Sequence, residues 1–474
     1  MTSVPGQSPL YERYASREMA AIFSPERRYG LWREMWIALA KAQADLGLPI
    51  SAGDLAALDE AQDKLDWARV GELEKITRHD VVAHLRHFAE QAGAAGGKLH
   101  LGATSAFVTD NADLLLMREA LEFLRGRIAG TVRALADFAA RTESIPTLAF
   151  THFQPAQLTT VGKRACLWIQ DFLTDLADLQ HLLSEFLCRG TKGTTGTQAS
   201  YLTLFDGDHD KVKALDSSFA QNLGFSGSYP VTGQTYPRKQ DSRILAVLSG
   251  IAQSSHKFGT DLRLLQGLGE LEEPFDEDQV GSSAMAYKRN PVRAERMCSL
   301  ARRLITDSLN GPLTAATQWL ERSLDDSANR RLVMPEAFLT ADALLSLAGG
   351  IAANLTVHEA VVRSHVDREL PFMASESLLM LGTMRGGDRQ ELHERLRVMS
   401  METHEAVAQG GENDLVEKIA ADPDFNLSDE DVAEALNARL FVGRAPEQVS
   451  EYLESTVEPA LSQVQAIAPE KPRI

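Results

Sequence analysis

The amino-acid sequence predicts an all-α protein made of three helical domains, with long helices forming a central bundle. Apolar residues recur in steps of three and four over three long segments, 113–141, 155–188 and 242–272, which is the spacing of one helical face. A helix of about 30 residues is about 45 Å long and needs other long helices to cover its apolar face. Apart from short pieces near 229–232, no segment shows the sustained alternation expected of strands joined by hairpin turns.

The N-terminal region, residues 1–105, is predicted to be a helical domain. Ser24-Pro25-Glu26 combines a capping hydroxyl, a proline suited to the first turn and an early acid, so a helix is expected from there to about Leu46. A second helical region is expected over about 55–90. The segment 93–109 is rich in small and polar residues and is expected to be a loop or a domain junction.

The central domain is predicted to span 106–357 and a C-terminal helical domain to span 358–474. Helical spacing resumes at Val292, breaks at 310–312 and continues past Trp319. The most apolar run, 343–357, is too short to cross a bilayer and is predicted to be a buried helix.

Length and charge narrow the possible functions. The chain has 474 residues, more than one hydrophobic core normally holds. Its formal net charge of −18 argues against general binding to nucleic acids or membrane surfaces. An anionic substrate would therefore need a local cluster of arginine and lysine.

Cysteine usage and the N-terminus bear on the cellular compartment. Three cysteines without a CxxC motif suggest neither a disulfide framework nor a zinc site. The N-terminus lacks a basic region followed by an apolar one, so no signal peptide is expected. We expect a reduced, cytoplasmic protein.

The segment 276–291 is the first candidate site. Gly281 and the serine pair that follows it make the segment flexible, and Lys288 and Asn290 add a cation and an amide. A mobile loop with hydroxyls at its tip and cations at its end suits closure over an anionic substrate. The alternative is a polar surface linker.

Histidines form a second group of candidates. His152, in the segment 151–155, is expected in a turn ahead of a long helix, although a lone histidine there is more often structural. In 78–80, an arginine, a histidine and an aspartate adjoin in one turn. His84 and His87 are spaced to share a helix face, but no nearby carboxylate completes a metal site, so a solvated or core-edge role is expected.

Two further segments could bind anions. Segment 192–198 offers two glycines and three threonines, whose amides and hydroxyls suit a carboxylate, although a helix-to-helix turn is the alternative. Segment 322–331 concentrates cations and hydroxyls, which suits a phosphate or carboxylate pocket. Alternatively, it is a solvated helix face on which Asp325 and Asp326 pair with the arginines.

Taken together, these motifs resemble the fumarase/aspartase superfamily, whose flexible loop reads Gly-Ser-Ser-x-Met-Pro-x-Lys-x-Asn-Pro. Within it the chain looks like the adenylosuccinate lyase family. In chain order, the segments that carry the resemblance are 13–16, 78–80, 102–105, 151–160, 192–198, 233–236, 281–291 and 324–331. Several long motifs in the same order make the match specific.

The resemblance implies a fumarase/aspartase-like fold and the removal of fumarate by β-elimination. The family acts on adenylosuccinate, giving AMP, and on succinylaminoimidazole-carboxamide ribotide, both in purine nucleotide biosynthesis. It implies no metal or organic cofactor, and no nucleic-acid or membrane partner. It further implies a homotetramer in which three subunits build each active site.

The same resemblance assigns the catalytic roles. Removing a proton beside a carboxylate creates a doubly charged aci-carboxylate, which needs positive groups and donors already in place. By similarity, Lys288 and Asn290 supply these. Ser282 matches the base, and it needs nearby cations and a dry, closed site to act as one. His152 matches the general acid that protonates the leaving nitrogen.

Other residues match supporting positions. Glu295 matches the acid that orients His152, and His79 matches a second active-site histidine. The residues matched to substrate binding are Arg13, Tyr14, Arg78, Asp80, Thr104, Ser105, Gln234, Arg296, Arg322, Ser327 and Arg331. Of these, Thr104, Ser105 and Gln234 would hold the succinyl group.

One departure from the family pattern concerns the loop. Ala286 stands where the family has proline, so we expect a slower or looser loop rather than an inactive enzyme. Two alternatives follow from the sequence. A sister lyase would act on argininosuccinate, although the 322–331 cluster and Arg13 favour a phosphorylated substrate. A catalytically silent helical scaffold is the other, suggested by Ala286.

Overall fold

The computed structural model describes residues 8–276, 278–281, 283–285 and 287–470. Ser282 and Ala286, two residues singled out above, lie outside the described residues. Within these ranges the chain is predominantly α-helical, with strands limited to two short antiparallel pairs. The predicted all-α fold class is confirmed.

The N-terminal region agrees with the sequence on its first long helix. After a π-helical turn, the helices are α1 (Arg17–Ile22), α2 (Pro25–Asp45), α3 (Ala52–Ala61), α4 (Trp67–Thr77) and α5 (Asp80–Ala92). The Ser24 side chain caps α2 by accepting from the Arg27 amide. The single helical region expected over 55–90 is instead three helices, because caps at Ser51, Asp66 and His79 start a new helix each time.

The central bundle is built from long helices that run side by side. In chain order its elements are α6 (Ser105–Arg141), β1 (Pro146–Thr151), β2 (Gln154–Thr160), α7 (Val161–Ser184), α8 (Ala199–Leu204), α9 (His209–Asn222), α10 (Lys239–Gly267), β3 (Leu271–Glu272), α11 (Val292–Asp307), α12 (Asn310–Thr317), α13 (Asp326–Ala353) and β4 (Thr356–Val357). The predicted loop over 93–109 is too long, since α6 already begins at Ser105.

The helix expected from Pro155 starts late, and this is a correction. Residues up to Thr160 form the second strand of a hairpin, pairing Pro146 with Thr160 and Thr151 with Gln154. Gln154 precedes a proline and is restricted to extended backbone. Leu148 and Leu158 of the two strands are buried together. The helix begins only at Val161, where the Thr160 hydroxyl caps it.

Helix α13 accounts for the most apolar stretch of the sequence. Among the described residues it is the one helix long and apolar enough to cross a membrane, but 83% of its most apolar window is buried. It packs against α6, α10 and α11. The buried helix predicted over 343–357 is therefore found, ending at Ala353.

The C-terminal region contains two groups of helices. Its elements are α14 (Glu359–Met384), α15 (Arg389–Ala408), α16 (Leu415–Ala421), α17 (Asp429–Ala435), α18 (Ala445–Tyr452) and α19 (Glu458–Ser462). Helices α14 to α17 enclose a small core of their own. Val449 and Leu461, on α18 and α19, join the main core of the bundle. The domain limits at 105 and 357 stay predictions.

The segment after α19 packs closely on α6. The Ile467 amide donates to the Gly126 carbonyl at 2.9 Å. A Cβ atom on Gly130 would lie 1.9 Å from the Ile467 carbonyl oxygen, a distance that no side chain tolerates. Gly130 is thus required by the close approach of two backbones.

We predict that Gly130→Ala lowers the melting temperature, because the added methyl group forces the 464–470 segment off α6 at a cost of about 1–3 kcal/mol. Gly30→Ala in α2 is the matched control. Its Cβ meets nothing within 4 Å, and alanine favours a helix, so its melting temperature should stay equal or rise. Differential scanning fluorimetry of both variants measures the effect. Equal melting temperatures for the two would contradict the prediction.

Candidate active site

A cavity of about 930 Å³ opens at the end of the bundle where α5, α6 and α13 begin. It brings together residues from five separate segments of the sequence, 28–32, 74–81, 104–113, 234–238 and 322–331. The predicted site residues that line it are Arg78, His79, Asp80, Thr104, Ser105, Gln234, Arg322, Ser327 and Arg331. The sequence motifs that contain them therefore meet at one place in the fold.

The mouth of the cavity is organised by the junction between α4 and α5. Arg78 ends α4 with left-handed backbone, φ 53°, which turns the chain so that the next two residues face the cavity. His79 Nε2 lies 3.2 Å from the Ser105 hydroxyl oxygen. The Asp80 carboxylate accepts from Arg331 at 2.6 Å. These contacts join the starts of α5, α6 and α13.

The pair between Asp80 and Arg331 is charged. Burial alone would raise the pKa of the Asp80 carboxyl, but hydrogen bonds from Arg331 and the Val81 amide hold it below its ordinary value. Burial opposes the charge on Arg331, yet the bond to Asp80 raises its pKa above normal. Arg331 therefore stays a cation at the cavity mouth.

Beneath the cavity lies a buried ionic floor, which we define as Asp110, Tyr236, Arg238, Asp241, Asp326 and Arg330. Arg238 binds Asp110 at 3.0 Å and Asp326 at 2.6 Å. Arg330 binds Asp241 at 2.6 Å. Burial would raise the pKa of Asp110, but Arg238 keeps it low. Each buried charge is therefore paired, as burial requires.

The buried ionic floor determines which side chains of the 322–331 segment point inward and which face the cavity. Asp326 is fully buried and is bound to Arg238, while the nearest approach of Arg322 to it is 3.6 Å. The alternative of a solvated helix face is wrong for Asp326. Arg322 and Arg331 are left at the cavity wall.

Sequence reasoning missed the floor and one further cation. Arg238 and Asp110 carried no motif, and Arg330 lay inside a recognised motif without being selected. Arg28 also lines the cavity, and nothing in its sequence context marks it. The spacing of Asp110 and Asp113 near the start of α6 was the one available signal.

The 192–198 segment has a structural task. Lys192 is buried and bound to Asp216. The Arg189 guanidinium donates to the carbonyls of Gly190, Gly193 and Gln234. Lys192 of the suggested carboxylate site therefore points into the protein and is not available to a ligand. The neighbouring Arg189 holds the Gln234 backbone beside the cavity.

The predicted catalytic loop, segment 276–291, contributes none of its described residues to the lining of the cavity. Asn290 donates to the Gly281 carbonyl at 2.8 Å. A Cβ atom on Gly281 would lie 2.1 Å from the Lys288 carbonyl oxygen, so glycine is needed here for close approach as well as for flexibility. Lys288 is exposed. The proposed base, Ser282, is outside the described residues.

His152 occupies the tip of the β1–β2 hairpin, and this corrects the turn expected at a helix mouth. It and Phe153 have φ of 54° and 58°, as in the tight two-residue turns that join antiparallel strands. Both side chains are exposed. The His152 imidazole is therefore exposed at the tip of the hairpin.

Four remaining candidates lie near the start of α11 or in the N-terminal turn. Glu295 is in the first turn of α11 and is exposed. Arg296 follows it, and burial lowers its pKa while the nearby Tyr14 raises it and Arg13 lowers it further. Arg13, Tyr14 and Arg296 thus form one cluster. No hydrogen bond or ion pair joins Glu295 to His152 within the described ranges.

The length of α10 separates the candidates into two sets. Gln234 and Arg238 lie just before α10, whereas the 276–291 loop follows it after β3. Helix α10 has 29 residues, which corresponds to about 43 Å. The cavity residues of one chain and its own loop are therefore far apart.

Comparisons with known proteins give the family. A family model described as lyase matches residues 12–306, and one described as adenylosuccinate lyase C-terminus matches residues 371–452. Adenylosuccinate lyase from Saccharomyces cerevisiae is 48% identical, covering 97% of this chain and 96% of that protein. The enzyme from Schizosaccharomyces pombe is 46% identical, covering 98% and 97%.

The chain belongs to the adenylosuccinate lyase family.

Solved structures confirm the fold of this family member. A 3-carboxy-cis,cis-muconate lactonizing enzyme from Pseudomonas putida aligns with a TM-score of 0.82 at 22% identity, covering 96% of this chain and 99% of that one. Fumarate lyase from Mesorhizobium sp. BNC1 aligns with a TM-score of 0.78 at 23% identity, covering 97% of this chain and 100% of that one. The predicted fumarase/aspartase-like fold is confirmed, and the chain is a lyase.

His84 and His87 have structural partners in this adenylosuccinate lyase family member. The His84 ring stacks on Tyr29 with centroids 4.0 Å apart, and His87 accepts from the Asp66 amide at 2.9 Å. In the part of the chain that is described, no group of three or more metal-ligating side chains is placed to hold an ion. Both rings are buried, so of the two roles expected from the sequence the solvated one is wrong and the core-edge one is found.

We predict that His84→Phe flattens the pH dependence of the melting temperature between pH 6.5 and 4. Burial, reinforced by Arg33, lowers the pKa of His84 from 6.5 to about 4. The unfolded chain thus binds more protons in this window, and the stabilisation present above pH 6.5 is lost as the pH falls towards 4. Phenylalanine keeps the ring contact but cannot titrate.

His209→Phe is the control, because His209 is exposed on α9. Melting temperatures of the three proteins measured at several pH values test the idea. An unchanged slope in His84→Phe would show that another group titrates here.

Proposed function

We propose that the protein eliminates fumarate from adenylosuccinate, giving AMP, and from succinylaminoimidazole-carboxamide ribotide, as part of purine nucleotide biosynthesis. The observation that carries the proposal is the cavity, where nine residues matched to the family's active site converge. Relatives 46–48% identical over nearly their whole length and named adenylosuccinate lyase support it.

The charges of the cavity suit a phosphorylated, doubly carboxylated substrate. Arg322 and Arg331 flank the first turn of α13, and Ser327 adds a hydroxyl between them. A helix N-terminus carries partial positive charge, which favours a phosphate group. We assign the phosphate to this corner and the succinyl group to Thr104, Ser105 and Gln234.

His79 faces the cavity from the start of α5. Its Nδ1 accepts from the Val82 amide at 3.5 Å and lies 3.5 Å from the Asp80 carboxylate. Its Nε2 lies 3.2 Å from the Ser105 hydroxyl, on the cavity side. We assign the proton of the neutral ring to Nε2, from which His79 would donate a hydrogen bond to a substrate carboxylate without changing its charge.

The remaining chemistry is assigned to the loop and the hairpin. Ser282 would remove the proton beside the carboxylate, and Lys288 and Asn290 would stabilise the negative charge that develops. His152 would protonate the leaving nitrogen as the carbon–nitrogen bond breaks. Glu295 would orient that imidazole.

We further propose a homotetramer with sites shared between subunits. About 43 Å separates a cavity from the loop of the same chain, and the 37 residues of α6 lie between the cavity and His152. The loop and His152 would therefore serve the cavity of a neighbouring chain, each coming from a different copy. Apolar side chains near the cavity support association. Trp319 is 72% exposed, Leu320 99% and Leu324 70%, and a second copy would cover them.

The location that we propose is cytoplasmic. All three cysteines are free and buried, which suits a reducing compartment.

We predict that Ser282→Ala lowers the rate of fumarate release from adenylosuccinate about 10²–10⁴-fold, because it removes the base. The unmodified protein should release fumarate from adenylosuccinate and not from argininosuccinate, which lacks the phosphate that Arg322 and Arg331 would hold. Absorbance of fumarate measures both. Ser364→Ala on α14 is the control and should keep full activity.

Activity with argininosuccinate alone would favour the sister lyase, and an inactive unmodified protein would favour the silent scaffold. Full activity in Ser282→Ala would remove serine from the mechanism.

We predict that mixing two inactive variants restores activity. Ser282→Ala and His152→Gln, unfolded and refolded together, should recover about a quarter of the normal rate, because some shared sites then receive both intact residues. Each variant refolded alone is the control. Sites that take Ser282 and His152 from the same chain would recover nothing, and that result would refute the assignment of these two residues to different copies.

A further inference from the structure

The loop that carries Ser282 and Lys288 is fastened at its base. Its outgoing arm follows β3 and its returning arm precedes α11. Glu272 accepts from Arg289 at 3.0 Å, joining one arm to the other. The Gln266 side chain makes a second bridge, since it donates to the Arg289 carbonyl at 3.1 Å and accepts from the Glu273 amide at 3.2 Å.

Glu272 also ties this base to the rigid part of the fold. Its second carboxylate oxygen lies 2.9 Å from His358 Nε2, just ahead of α14. Glu272 pairs with Thr356 in the β3–β4 ladder. The His358 amide donates to the Glu270 carbonyl at 2.9 Å. One oxygen thus binds the loop, and the other contacts the side chain of His358, whose own backbone is bonded to Glu270.

The burial of the two partners is unequal. The Glu272 side chain is 13% exposed and that of Arg289 is 57% exposed. The Arg289 guanidinium also covers the Phe275 ring, 4.9 Å from its centroid. Exposed ion pairs contribute little when both side chains move freely. Here Glu272 is held by His358 and by the β3–β4 pairing, so Arg289 is bound to a fixed carboxylate.

Arg289 stands directly between two predicted catalytic residues. Lys288 precedes it and Asn290 follows it. Fixing its guanidinium and its carbonyl fixes the backbone from which both neighbouring side chains project. Small misplacements of catalytic groups lower rates strongly, so this anchor bears on catalysis.

We propose that Glu272 is a positioning residue for the reaction, holding Lys288 and Asn290 in place through Arg289, with His358 orienting the carboxylate. This inference rests on the proposed function. Glu272 acts on the loop and not on the substrate, so its loss affects the stage at which the loop groups act.

The test uses the full-length protein and the variants Glu272→Gln, Arg289→Gln and their combination. Glu272→Gln keeps the side-chain shape and removes the charge. We expect kcat to fall about 10-fold or more while KM changes less than about 3-fold, since the displaced groups act in the transition state. The double variant should be no slower than the slower single one.

His358→Gln is a milder second variant, and its loss of kcat should be smaller because the bond between Glu272 and Arg289 remains. Glu394→Gln is the matched control. It breaks an exposed glutamate–arginine pair on α15, with Arg397 at 2.7 Å, which is far from the loop in sequence, and should leave kcat and KM unchanged.

A second readout needs no turnover. Trypsin cleavage after Lys288 should be several-fold faster in Glu272→Gln than in the unmodified protein, and unchanged in Glu394→Gln. Independent, multiplying losses in the two single variants, or unchanged kcat and unchanged cleavage in Glu272→Gln, would overturn the proposal. An unmodified protein that releases no fumarate from adenylosuccinate would refute the proposed function, while the trypsin comparison would still decide whether Glu272 holds the loop.

Discussion

The arrangement of the site depends on the buried ionic floor. Arg238, at the start of α10, and Arg330, on α13, bind aspartates on neighbouring helices. A buried charge without a partner is costly, so these pairs fix how the helix ends lie against one another. With the inward aspartates already neutralised by Arg238 and Arg330, Arg322 remains on the wall of the cavity and Arg331, paired with Asp80, at its mouth. A chain with a net charge of −18 thereby has arginines at the place where we propose that an anionic substrate binds.

Periodicity predicted the three long helices α6, α7 and α10, because a long helix in a bundle must bury its apolar face. It failed at the β1–β2 hairpin, whose short strands carry only Leu148 and Leu158 as buried apolar pairs. The floor was beyond its reach. Arg238 and Asp326 are 88 positions apart, and Arg330 and Asp241 are 89 apart. Charges at such separations show no local pattern.

The resemblance supplied most of the candidate site, and the structure shows which of those residues meet. The expected loop that closes over an anionic substrate cannot reach the cavity of its own chain. The loop of one chain is a full helix length away from the cavity of the same chain. In the proposed assembly it closes over a neighbour's cavity, so the folding of one copy and the completion of a site are separate events.

That helix length has a consequence for how the chain tolerates change. If a partner's loop must meet a cavity at a fixed place, the lengths of the central helices determine whether the two can meet. Deleting one residue from α10 would shorten it by about 1.5 Å and rotate everything beyond by about 100°. Insertions and deletions should therefore be confined to surface connections such as 409–414, and the central helices should keep a constant length wherever the shared site is retained.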